Sequence, residues 1–139
     1  MLHHVSIRTA DIHRAIAFYE ILGFSVCERF TTGYTLACWM EGLWGRIELI
    51  QIPEPSPPAD AFDDEHYVGY YHISFDLTGQ IPALSPWLDG IQAGFARNPG
   101  LTPLKVLLAP CQQMIGGNVY EVLFLADSDG LPLEFIRRM

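Results

Sequence analysis

The sequence predicts an α+β protein made of two tandem β-α-β-β-β modules, with a mixed sheet curved around a polar cavity and the helices outside. Three observations predict it. The chain repeats itself: His3-His4-Val5-Ser6-Ile7 near the start returns as Tyr71-His72-Ile73-Ser74-Phe75, and repetition of this kind constrains the whole architecture. Each repeat then ends on a strand-like run holding a glutamate, Ile47-Glu48-Leu49-Ile50 and Leu133-Glu134-Phe135-Ile136. In all four runs the residues alternate, as strand side chains must when they point to opposite faces in turn. His4, Ser6 and Arg8 share one face against Val5 and Ile7, and His72, Ser74 and Asp76 share one against Ile73 and Phe75. Glu48 opposes Ile47 and Leu49, and Glu134 opposes Leu133 and Phe135. One apolar face can pack on a helix while the other carries the chemistry.

The elements follow in order. A first strand spans about 2–8. Asp11 is a suitable N-cap, Ile12, Ala15, Ile16, Tyr19 and Leu22 recur at helical spacing, and Gly23 ends the helix. Strands are expected at about 24–30, 34–40 and 45–52, with Gly33 and the Glu41-Gly42 pair marking the turns. Residues 1–52 form the first module. Residues 53–66, with four prolines and then Asp63, Asp64 and Glu65, read as an exposed linker. The second module, 67–139, opens with a strand at about 70–77. A weaker helix follows, with Ser85 as N-cap, Pro86 at its first position and Gly94 as its stop. Strands at about 105–109, 119–125 and 131–137 close the module, the last two joined by Asp127-Ser128-Asp129-Gly130. The His-to-Glu spacing is about 18 residues longer in this module. The surplus is expected in loops around Asn98-Pro99-Gly100 and Gln112 to Gly117, natural places for substrate contacts.

Composition narrows the function. At 139 residues, half of them hydrophobic, the chain is expected to be one domain, or two small halves fused through a common core, with enough apolar residues for a sizeable core. No apolar run approaches the roughly 20 residues of a membrane span, and no charged-then-apolar leader pattern opens the chain, so a cytoplasmic protein is expected. A formal charge of −8 argues against nucleic acid or anionic membranes as partners. Cys27, Cys38 and Cys111 lack CxxC spacing and an evident activating base, which fits reduced, inert thiols.

The candidate ligands are His4, Glu48, His72 and Glu134, one His and one Glu per module. A carboxylate set among Ile and Leu is costly to bury uncompensated. A metal would compensate both, and so would structural ion pairs to Arg46 and Arg137, nearby in sequence. His3 is expected to face away from His4, while His13 falls on the helix's polar side and His66 in the linker. Arg8 shares the ligand face, fitting either an anion contact or a structural salt bridge. Tyr34, Trp39 and Trp44 read as core or dimer contacts, and Gly116-Gly117 as a turn.

These motifs, in this order, resemble the vicinal oxygen chelate superfamily, which includes glyoxalase I, bleomycin-resistance proteins, extradiol dioxygenases and methylmalonyl-CoA epimerase. The resemblance covers essentially the whole chain. It includes "DIHRAIAFYEILGF" from Asp11 and "FLADSDGLPLEFI" from Phe124. It implies a glyoxalase-like fold and a divalent metal (Ni, Co, Zn, Mn or Fe) at His4, Glu48, His72 and Glu134. This ligand set is similar to that of glyoxalase I, and Arg8 falls where that enzyme has an arginine near the glutathione carboxylate. Two departures stand out: Ile52 where glyoxalase I commonly has Asn, and Ser128 where the hairpin usually has Pro. The resemblance implies a metal-dependent lyase or isomerase acting through an enediolate on a small α-oxo or hemithioacetal substrate. Glu134 and Glu48 are its candidate catalytic carboxylates and a glutathione adduct is a candidate substrate. The alternatives are an Fe(II) extradiol-type dioxygenase and a metal-free bleomycin-resistance-like binding protein. A homodimer is expected, since half-cups leave sheet edges needing cover.

Overall fold

The computed structural model describes residues 1–139, in two compact units, 1–57 and 58–139. The first unit contains β1 (Val5–Thr9), α1 (Ile12–Ile21), β2 (Ser25–Thr32), β3 (Thr35–Gly42) and β4 (Gly45–Gln51). The second contains β5 (Ile73–Asp76), α2 (Leu84–Ala96), β6 (Lys105–Ile115), β7 (Asn118–Ala126) and β8 (Pro132–Arg138). Each unit has its own four-stranded sheet, ordered β1-β4-β3-β2 and β5-β8-β7-β6. The first and last strands of each module lie side by side in parallel and the other pairs are antiparallel. This is the α+β tandem βαβββ arrangement that the repeat predicts. No helix is long and apolar enough to cross a membrane.

Parallel neighbours cannot be joined by a tight turn, so each module sends its chain through a helix before the later strands return. The Asp11 carboxylate starts α1 by accepting from the His13 and Arg14 amides at 3.0 and 3.1 Å. Ile12, Ala15, Ile16, Phe18 and Tyr19 bury its inner face. They meet Ile7, Ile47 and Leu49, the apolar faces of β1 and β4, in the core of the unit. In the second unit Phe75, Leu88, Phe95, Leu133 and Phe135 are buried in the same way, and Trp87 lies 4.8 Å from Phe135.

Several expectations need correcting. The first strand of each module is shorter, so His4 and His72 stand one residue ahead of β1 and β5. Ser85 does not cap α2: the cap position is Ala83, which offers no side-chain acceptor. Glu121 of β7 instead accepts from the Leu84 amide at 3.0 Å, so a tertiary carboxylate replaces a local cap. Gly94 lies inside α2 rather than ending it. The expected loop from Gln112 is mostly strand, because β6 continues to Ile115 and only Gly116-Gly117 turn the chain. The turn after β3 falls on Leu43-Trp44, with Gly42 still in the strand. The linker segment has no helix or strand, yet Phe62 within it packs on Phe124 at 5.4 Å.

Candidate metal centre

The two modules build the same half-site. Ser6 is the register partner of Glu48, as Ser74 is of Glu134, because parallel pairing of first and last strands brings the two motifs together. In the first unit His4 Nε2 lies 3.5 Å from Glu48 Oε1. In the second, His72 Nε2 lies 3.3 Å from Glu134 Oε2. Both glutamate side chains are 13% exposed and the histidines about a quarter.

Those separations exceed the roughly 2.7–2.9 Å of a charge-assisted hydrogen bond. They match the separation of two ligands on one cation: bonds of about 2.0–2.2 Å meeting at a right to tetrahedral angle put the donor atoms about 3.0–3.5 Å apart. Neutral imidazole with carboxylate suits the borderline divalent metals. Each half-site thus fits as half of a metal site. No group of three or more His, Cys, Asp or Glu side chains comes together as a ready cage.

The competing ion pairs go elsewhere. Arg46 donates its Nε to Glu41 Oε1 at 2.7 Å, and Arg137 donates to Glu121 Oε2 at 3.1 Å. Both arginines pair across their hairpins, so neither neutralises Glu48 or Glu134.

The first half-site is surrounded by residues that the sequence had assigned elsewhere. Glu48 Oε1 accepts from Ser6 Oγ, and its Oε2 from the Trp39 indole Nε1, both at 2.8 Å. Burial pushes the Glu48 carboxyl up, but the Ser6 and Trp39 bonds and the charges of His4 and His3 outweigh it, leaving the group below the usual carboxylate range. Trp39 thus contacts a candidate ligand directly. His3 does not face away either. Its Nδ1 is 2.7 Å from His4 Nδ1 and its Nε2 is 2.6 Å from Arg46 Nη1. Arginine only donates, so His3 Nε2 accepts and His3 Nδ1–H donates to His4. The His4 proton is then on Nε2, facing Glu48.

The second half-site is barer. The one polar partner of Glu134 is His72, and His72 Nδ1 is buried without a hydrogen-bond partner. Phe124 is the β7 register partner of Glu134. Tyr71 stacks on it at 6.0 Å, and the ring of His72 meets it edge-on at 5.0 Å. Burial, then the negative charges of Glu134 and Asp63, push the Tyr71 phenol up. Arg8 is exposed on the same face of β1 as Ser6. Cys38 is buried and its thiol pushed up, mainly by that burial, which fits an inert role. The signal for Trp39 lay in the register: an antiparallel partner of Glu48 is within side-chain reach of it.

Residues 1–135 match the family model of the Glyoxalase/Bleomycin resistance protein/Dioxygenase superfamily, and the chain belongs to that superfamily. Its fold is similar to a glyoxalase family protein from Enterococcus faecalis (TM-score 0.67, 19% identity, covering 98% of this chain and 96% of that one). It is similar also to a glyoxylase/bleomycin resistance protein/dioxygenase domain from Frankia sp. EAN1pec (TM-score 0.69, 17% identity, 100% and 98% covered). A glyoxalase/dioxygenase from Nostoc punctiforme gives a TM-score of 0.65 at 19% identity, with 100% and 91% covered. No curated protein matches the chain.

Proposed function

We propose that this protein is a metal-dependent lyase or isomerase resembling glyoxalase I. Its substrate class is a small α-oxo compound or the hemithioacetal such a compound forms with a thiol such as glutathione. One observation carries the reading: each module holds a His–Glu pair at the spacing of two ligands on one cation, with no arginine neutralising either glutamate. His4, Glu48, His72 and Glu134 would together hold one divalent ion, completed within a chain or by two chains of a homodimer. The ion would supply Lewis-acid polarisation of adjacent substrate oxygens.

Glu134 accepts the proton from the substrate carbon and returns it to the neighbouring carbon. Glu48 remains a ligand. Arg8 on the cavity face attracts an anionic substrate group. Superfamily membership supports a small-molecule substrate, and the formal charge of −8 weighs against nucleic acid and anionic membranes as partners.

The test has two arms. Elemental analysis should find stoichiometric divalent metal in the wild type and much less in His72→Ala; equal content in both, or none in either after reconstitution, would sink the metal site. Thioester formation from methylglyoxal, with and without glutathione, tests the substrate. An inactive but metal-replete wild type would remove the substrate class and leave the site standing.

A further inference from the structure

The two half-sites are related position by position, yet they are not equivalent. Trp39 stands opposite Glu48 across β3 and β4, and Phe124 stands opposite Glu134 across β7 and β8. Both rings sit against the histidine of their own half-site, at 5.9 Å for Trp39 with His4 and 5.0 Å for Phe124 with His72. Only the indole carries a donor, and it spends that donor on Glu48 at 2.8 Å. The serines repeat the asymmetry: Ser6 donates to Glu48 at 2.8 Å, while Glu134 has no polar partner but its histidine, at 3.3 Å.

We propose that Trp39 is a positioning residue which, with Ser6, locks the Glu48 carboxylate in its ligating orientation, and that Phe124 leaves Glu134 unlocked as the carboxylate that moves. This rests on the metal reading above. A carboxylate with a donor on each oxygen cannot swing without breaking both bonds, and a partly buried site offers little water in exchange. Trp39 is itself fixed, with Phe30 at 5.3 Å on one side and the Arg46 guanidinium 5.3 Å over its ring. Phe124 is as firmly packed, against Phe62, Tyr71 and His72, but its ring has no N–H or O–H to offer Glu134, so the difference between the repeats is one of hydrogen bonding rather than of filling. One glutamate is built to stay and the other to leave and return, as proton transfer by a ligand requires.

The test is Co(II) affinity, measured by chelator competition on wild type, Trp39→Phe, Ser6→Ala and Ser74→Ala, with thermal midpoints taken on the same samples. Ser6 and Ser74 are exposed and stand at matching register positions, so neither alanine threatens the fold. Trp39→Phe should weaken Co(II) about 10–100-fold, the usual cost of losing an outer-shell partner. Ser6→Ala should weaken it by a smaller factor, and Ser74→Ala should leave it within about twofold. Equal effects of Ser6→Ala and Ser74→Ala, or unchanged affinity in folded Trp39→Phe, overturns the proposal. Where wild type binds Co(II) and His72→Ala does not, either of those two outcomes removes the positioning role alone and leaves the metal site standing. No Co(II) binding by wild type removes the metal reading and this one together.

Discussion

Replacing Glu121 by Ala tests how the second unit is held together. Its Oε2 accepts two donors from different elements, the Leu84 amide at the start of α2 and Arg137 of β8, at 3.0 and 3.1 Å. Leu84 is fully buried, and the Arg137 and Glu121 side chains are only 18% and 16% exposed. Losing a helix cap costs about 1 kcal/mol, and losing a charge-assisted bond at a shielded site costs about 1.5–3 kcal/mol. The expected loss is therefore about 3 kcal/mol. Unfolding entropy of about 2.1 cal/mol/K per residue converts this to about 10 °C in Tm if all 139 residues melt together. If the roughly 80 residues of the second unit melt alone, the shift is about 17 °C. Glu121→Gln keeps an acceptor oxygen and should lose less than half as much. Glu41, which pairs with Arg46 across the β3–β4 hairpin, is the internal control. Its side chain is 47% exposed and caps nothing, so Glu41→Ala should cost under about 1 kcal/mol. Calorimetry on the three variants decides it. Equal shifts for Glu121→Ala and Glu41→Ala would refute the reasoning, because the larger loss is assigned to burial and to the helix cap, which Glu41 lacks.

Glu134→Gln should retain much of the bound metal and lose at least about 100-fold in turnover, the scale of general-base catalysis; undiminished turnover would place the base elsewhere. Glu48 gives a pH dependence. Its carboxyl is depressed on folding, so its stabilisation is present above the ordinary carboxylate value and is lost as pH falls through the depressed one. Ser6→Ala in metal-stripped protein should thus destabilise at neutral pH by an amount that shrinks in acid, read by denaturant titration; a pH-independent difference contradicts it. Light scattering at micromolar concentration should show a dimer. Mixing His4→Ala with His72→Ala chains should restore metal binding if two chains share each site, since one intact pair of half-sites then survives per mixed dimer; no recovery in a mixed dimer assigns the site to single chains.

Much of the architecture was legible in the residues because it follows from local rules. Alternation fixed which strand faces are apolar, Asp11 marked the start of α1, and the repeat of His-x-Ser and Glu runs marked two equivalent modules. The pairing of His4 with Glu48, and of His72 with Glu134, followed from duplication and a strand period of two. Register and tertiary packing decided the rest. Only the cross-strand register showed that Arg46 and Arg137 pair with Glu41 and Glu121, which leaves both candidate ligand glutamates without an arginine. The start of α2 could not be read from Ser85 because its cap comes from a strand some 37 residues on. Trp39 and Phe124 look alike in sequence as large aromatics; the register that sets each beside a glutamate turns one indole N–H into the difference between the half-sites. A sequence pattern reports the face a side chain occupies, but which donor meets which acceptor depends on how distant strands align.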